Sequence, residues 1–268
     1  MECAKTVFIG ADLFEYASNK IRCRDISNRL NCECLFGITR ASQVPRKYNV
    51  FICVKPQLPA EELEKLSKRG VTVWDIVDFK PPVTGVDVYL ASTRGVAEMF
   101  RHLGNIAIIP HHHCNFTGRP NSPRNRRAAW IGNHTWYPPL AGVPHDICFT
   151  RGMERIDVVR AYRAAGILLN LRLESDNSDA HVRLNSGIKL INAIGFGIPS
   201  ISSNEPAYHE IAPECTIFSD LKSCGQWVAE ISRNKSVYNI LRRNCLRASR
   251  EFHINEISKK YIKLIKSF

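Results

Sequence analysis

Short apolar runs alternate along this chain with stretches whose apolar positions recur at helical spacing. The run TVFIG at 6–10 ends in a glycine, and CECLFGI at 32–38 and VFICV at 50–54 have the same compact apolar character. Between the first two, Glu15–Leu30 carries Ile21, Ile26 and Leu30 among polar residues, an imperfect amphipathic helix. PAEELEKLSKRG at 59–70 has every mark of a helix: Pro leads, acids fill the first turn, bases the last, and Gly closes it. VTVWDIV (71–77), VDVYLAS (86–92) and IAIIP (106–110) are further strands, the last two separated by the helix TRGVAEMFRHLG. Strand–helix alternation of this kind is the signature of a parallel α/β sheet.

A polar segment rich in Pro, Arg and Asn follows at 116–127, and then the alternation restarts. AAWIG (128–132), HDICFT (145–150), ILLNLRL (167–173), PSISS (199–203) and CTIFSD (215–220) read as strands. The helices between and after them are RIDVVRAYRAAG, SGIKLINAIGFG (186–197), 222–233 and a long one over 235–266. The pattern therefore predicts two α/β domains, 1–115 and 116–268, without internal repeats. In such sheets ligands bind beyond the carboxyl ends of the strands, so a cleft between two domains is the expected site.

Charge adds a partner class to this picture. The net charge is +12, and it is uneven: residues 1–115 hold 15 Lys and Arg against 12 acids, residues 116–268 hold 22 against 13. The surplus lies in the segment from Arg119 through Arg124, Arg126 and Arg127, and in the tail from Arg233 onward, where ten bases face two acids. Such a balance suits a polyanion, either nucleic acid or an anionic membrane surface. The ten cysteines form no C-x-x-C pair and read as free thiols of a reducing compartment. No signal peptide is visible and no apolar run reaches the ~18 residues of a membrane span, so a cytoplasmic protein is expected, a virus-infected host cell included.

The stretch with the most chemistry is RLNSGIKLINAIGFGIPSISSNEPAYHEI at 183–211. Asn185 or Ser186 is placed to cap a helix, Gly187 lets a ligand approach its first turn, and Lys189 projects from that turn. A helix N-terminus combined with a lysine is an anion site suited to a diphosphate. Gly195 and Gly197 permit close packing before a buried strand, and Pro206 and Tyr208 open a second loop at the same end of the sheet.

This segment resembles the donor-binding segment of GT-B glycosyltransferases, whose usual pattern is Lys-Leu-x-Glu-Ala-x-Ala-x-Gly-x-Pro-Val-Ile. The resemblance is dense over 183–211 and looser elsewhere. It implies two Rossmann-like α/β/α domains facing a central cleft, with an acceptor on the N-terminal domain and a nucleotide-sugar on the C-terminal one. Ser186, Gly187, Lys189, Asn192, Glu205 and Tyr208 fall on the donor side of this pattern. Asn192 stands where the family has Glu, and it would meet a ribose hydroxyl as a neutral partner; the earlier acid of the family's pair falls near Leu184–Asn185 and is missing. The family's Arg…Lys pair is absent from IGNHTWYPP, which leaves phosphate neutralisation to Lys189 with Arg151 or Arg183. No metal or other cofactor is implied, because positive side chains take that part.

On the acceptor side, Asp12 or Glu15 in the loop after the first strand is a candidate general base. IIPHHHCN at 108–115 looks like a zinc site, but adjacent residues of an extended chain point to opposite faces and partners at ligand spacing are lacking. Its place at the crossing between domains instead makes His111 and His113 candidates for touching acceptor or donor, with His113 the catalytic candidate. Arg124, Arg126 and Arg127 are candidate acceptor contacts. The acceptor itself stays open: a hydroxymethylated base in DNA, flipped into the cleft, or a lipid-linked or surface glycan with the basic, amphipathic tail on a membrane. A non-catalytic nucleotide or nucleic-acid binder is the third reading, favoured by the missing acidic pair.

Overall fold

The computed structural model describes residues 5–11, 19–77, 83–122, 126–134, 137–140, 142–172, 182 and 184–268. Asp12, Glu15, Arg124 and Arg183 lie outside these residues. The chain divides into two compact units, residues 1–111 with 254–268, and residues 112–253.

The first unit holds a sheet of six strands in the order β2-β1-β3-β4-β5-β6. They are β1 (Thr6–Gly10), β2 (Glu33–Phe36), β3 (Val50–Val54), β4 (Val71–Ile76), β5 (Val88–Ala91) and β6 (Ile106–Ile108). Every recorded pairing in this sheet is parallel, which is why β1 and β3 read as unbroken apolar runs: both faces are covered, and all five residues of each are buried. Its α-helices are α1 (Ile26–Leu30), α2 (Ala60–Ser67) and α3 (Arg94–Phe100), α1 being preceded by a π-helical turn at Asn19–Asp25.

The second unit holds five strands in the order β11-β10-β9-β7-β8, again parallel at each pairing. The strands are β7 (Ala128–Gly132), β8 (His145–Phe149), β9 (Ile167–Asn170), β10 (Ser200–Ser202) and β11 (Thr216–Phe218). Helices α4 (Arg155–Ala164), α5 (Ile188–Phe196), α6 (Pro206–Ile211), α7 (Cys224–Arg233) and α8 (Lys235–Ser249) belong to it. In both sheets the chain winds outward one way and then reverses, so each has a switch point beside its first strand: β1/β3 in the first, β7/β9 in the second.

The long terminal helix expected over 235–266 is two helices. After α8 a tight turn at Arg250–Phe252 and an extended His253 interrupt it, and α9 (Ile254–Ile265) follows. The break serves packing. Chain order assigns 254–268 to the second domain, whereas α9 buries Ile254, Ile257, Tyr261 and Ile265 in the core of the first unit, around Phe8, Ile52 and Leu90. That burial also means that α9 has no apolar face left to lay on a membrane.

Candidate functional site

The switch point of the second sheet brings Gly132, Gly187, Lys189, Arg172 and Glu205 to the carboxyl ends of the strands. Strand β7 ends at Gly132, whose carbonyl accepts a hydrogen bond from the Thr150 amide just past β8 (2.8 Å). A Cβ at Gly132 would lie 2.7 Å from the Trp130 ring and 2.9 Å from Lys189 Nζ, so glycine is what leaves room for the lysine. Lys189, in the first turn of α5, folds over Trp130 with its ammonium 4.3 Å from the ring centroid, a cation–π contact. Trp130 is fully buried. Desolvation on this aromatic floor, with the nearby Arg172 charge, brings the Lys189 ammonium down to about 7, against an opposing pull from Glu205.

Glu205 is the centre of the group. Its carboxylate is buried, pairs with Arg172 Nε at 3.1 Å, and accepts a hydrogen bond from the Asn185 amide. Burial pushes its pKa up, while Arg172, Asn185 and Lys189 pull it down. Asn185 also accepts from the Gly187 amide (3.0 Å), tying the loop before α5 to the loop before α6. Gly187, not Asn185 or Ser186, occupies the N-cap position, with φ +64°, a left-handed conformation that glycine adopts without strain. A Cβ there would strike Ile211 Cδ1 at 2.0 Å. Two cations around one carboxylate, beside the first turn of a nine-residue helix, leave net positive charge where an anion can reach it.

The other expected residues separate into groups. Ser186 is buried in the same loop, and Tyr208 is buried beneath it, its amide bonded to the Glu205 carbonyl (3.0 Å). Asn192 is not at the site's surface: its Oδ1 accepts from the Cys114 amide (2.8 Å) and its amide meets the Tyr162 hydroxyl (3.4 Å), so it holds helix α5 to the entering chain rather than presenting itself to a ribose. Arg151 sits on an exposed turn just beyond β8, at the same carboxyl end of the sheet as Lys189. Arg126 and Arg127 precede β7 and therefore lie at the opposite, amino end of this parallel sheet. There Arg126 donates to Ser232 O (3.0 Å) over the Tyr238 ring, and Arg127 pairs with Asp146 (2.8 Å).

The three histidines are all buried. His113 lies in the second unit against helix α5: a Cβ on Gly195 would meet its ring at 2.4 Å, which is why glycine stands there. Its amide donates to Phe252 O (2.9 Å), its Nε2 lies 3.2 Å from Ser249 O, and its ring meets His253 edge to face at 5.4 Å. Desolvation holds it near pKa 4, neutral at physiological pH. His113 thus braces the junction between α5 and the end of α8 and offers no surface to a substrate. His111 is buried in the first unit. Among the described residues no group of three or more His, Cys, Asp or Glu side chains is gathered to hold a metal ion.

Arg172, Trp130 and Gly132 are the participants that sequence reasoning missed. Taking ILLNLRL as strand to 173 placed Arg172 inside a strand, but β9 stops at Asn170. A cation two residues past a buried strand of a parallel sheet is the signal that would have found it.

No family model matches the sequence, and no curated protein matches it. Solved structures do. Anabaena HepE in complex with UDP and glucose matches with a TM-score of 0.65 at 9% identity, over 98% of this chain and 100% of that one. A glycosyltransferase from Rickettsia africae matches with a TM-score of 0.66 at 9% identity, over 98% of each chain. The GtfA/B complex matches with a TM-score of 0.56 at 11% identity over 91% of this chain, which spans only 59% of that one. The fold is that of the GT-B glycosyltransferases.

Proposed function

We propose that this protein is a glycosyltransferase that moves a sugar from a nucleoside-diphosphate sugar, with UDP-sugars favoured, to an acceptor hydroxyl. The observation that carries the reading is the Lys189–Arg172–Glu205 group at the switch point of the second sheet. Its support in kind is HepE, crystallised with UDP and with UDP-glucose. In the reaction the bond from the anomeric carbon to the diphosphate breaks, its electron pair leaving on the phosphate oxygen. The acceptor oxygen bonds to that carbon and gives its proton to a base. The charge that develops on the leaving diphosphate is what Lys189, Arg172 and the first turn of α5 would stabilise. Glu205 acts through its neighbours: a buried carboxylate holds Arg172 in place and keeps the two cations from repelling each other. Ser186 and Gly187 let the diphosphate approach, and Arg151 supplies further positive charge at the same end of the sheet. Asp12 is the base we carry forward, since His113 is enclosed.

For the acceptor, the DNA-base reading rests on the +12 charge and the basic clusters at 119–127 and in the tail; within the first cluster Arg126 and Arg127 sit at the amino end of the sheet, away from Lys189, and add no support to it. A surface or lipid-linked glycan is the other reading. A mass-resolved transfer assay offering several UDP-sugars to hydroxymethylated DNA and to a lipid-linked acceptor tests both. Transfer or donor hydrolysis that disappears in Lys189→Met is the expected result. Absence of both turnover and UDP binding across a sugar panel would refute the enzyme reading and leave a nucleic-acid binder; UDP binding without any turnover would leave the non-catalytic nucleotide binder.

A further inference from the structure

Helix α8 stands out among the basic parts of the molecule. From Ile231 to Arg250 the sequence has six Lys and Arg and no acid. Its inner face is plain core: Tyr238, Leu241 and Cys245 are buried. Its outer face is not plain surface. Ser236, Asn239, Ile240, Arg243, Leu246 and Arg247 are all exposed, and with Arg250 of the following turn they fall within about 120° of arc at 100° per residue. Ile240 is 49% exposed and Leu246 37%, so two large aliphatic side chains stand in water at the two edges of this arc, with the three arginines between them. A recess of about 610 Å³ on this face is lined by Ser236, Asn239, Ile240, Arg242, Arg243 and Leu246. Arg242 is anchored at its rim, donating to Gly197 O at 2.9 Å.

We propose that the outer face of α8 is a docking surface for an anionic lipid bilayer: Arg243, Arg247 and Arg250 meet lipid phosphates while Ile240 and Leu246 enter the headgroup layer. The mixture of residue types decides the class of partner. A surface that tracks a nucleic-acid backbone needs cations alone, whereas exposed aliphatic side chains flanking a row of arginines on one helical arc match the boundary between headgroups and acyl chains. Cations near such a surface are attracted by its negative potential and hold there cooperatively with modest apolar insertion. The proposal moves membrane contact away from α9, whose apolar face is buried in the first unit, and it stands whether or not the protein transfers sugars.

The test is flotation of the full chain with vesicles of phosphatidylcholine alone or mixed with phosphatidylserine, with duplex DNA as a separate probe. The expected result is binding to the mixed vesicles only. Charge reversal at Arg243, Arg247 and Arg250 to Glu should abolish it, a loss on the order of a hundredfold or more. Ile240→Ser with Leu246→Ser should weaken it about tenfold. Lys259→Ala, Lys260→Ala and Lys263→Ala on α9 should leave it in place. UDP affinity and the circular-dichroism spectrum of each variant report that the fold is intact, since none of these residues touches the Lys189 group. Failure to bind anionic vesicles overturns the proposal. So does loss of binding in the α9 variant with the α8 variants silent, or DNA binding that Arg243→Glu removes while the Ile240 and Leu246 variants change nothing.

Discussion

Each unit buries a carboxylate against an arginine near the carboxyl ends of its strands, and the two pairs have opposite uses. In the first unit Asp75 of β4 pairs with Arg22, both buried; Arg22 also donates to Ile109 O at 2.8 Å and its guanidinium lies 5.9 Å from the Tyr261 ring centroid. One cation meets one anion, and α9 covers them. In the second unit Glu205 is as deeply buried, but two cations share it, and Arg172 keeps 16% of its side chain exposed. Balanced and covered charge locks a fold, while charge left positive at a strand end is available to a ligand. The same residue types therefore carry different meanings, and the count of charges with the exposure of the cation separates them.

The largest effect should come from removing one cation of each group. Arg22→Met leaves Asp75 buried without its guanidinium and should cost about 3–5 kcal/mol of stability. Lys189→Met should cost no stability, because it relieves a desolvated ammonium, yet UDP affinity should fall by roughly a hundredfold from the loss of a charged partner. Chemical denaturation and calorimetric titration on the two variants read both quantities. If Lys189→Met costs several kcal/mol of stability and leaves the UDP affinity of the folded protein unchanged, the two groups are alike and the distinction fails.

A smaller effect sharpens the geometry. Gly187→Ala puts a Cβ in left-handed backbone and against Ile211, and should lose about 1–3 kcal/mol of stability. Gly132→Ala acts on Lys189 instead. Its Cβ meets the flexible end of the lysine at 2.9 Å, which can swing away, and the Trp130 ring at 2.7 Å, which yields less readily. UDP affinity should drop about tenfold while stability changes by ~1 kcal/mol. A thermal-shift and titration pair on these two alanines checks that Gly187 serves backbone and Gly132 serves the lysine.

Much of this was legible from sequence because buried parallel strands are apolar throughout and helix ends are punctuated. TVFIG, VFICV and AAWIG lie where their composition says, and the Lys189 turn lies at the end of the sheet where the motif puts it. What was not legible depends on which polar groups are already occupied. Asn192 looks like a ligand residue until Cys114 is seen to use its carbonyl, and His113 looks catalytic until Gly195 is seen to seat its ring. The break at 250–253 was hidden for a related reason: residues 235–266 have helical periodicity throughout, and only the demand that Ile257 and Tyr261 reach the first core interrupts it.

The smallest effect is a pH dependence whose sign is opposite for stability and for binding. Lys189 is held at about 7 in the folded protein against an ordinary 10.5, so between these values the unfolded chain carries more protons than the folded one. Stability attributable to this group therefore rises with pH across that window. A bound diphosphate favours the charged lysine, so UDP affinity should fall over the same range, by up to about tenfold per pH unit above 7 until the complex itself deprotonates. Lys189→Arg keeps its charge throughout and should flatten the binding profile, and Lys189→Met should flatten both. Arg22 and Asp75 have no ligand to answer to, so Asp75→Asn should leave the UDP profile of the wild type unchanged. A UDP affinity that stays level from pH 7 to pH 9 in the wild type would show that Lys189 does not meet the diphosphate, whatever its neighbours do.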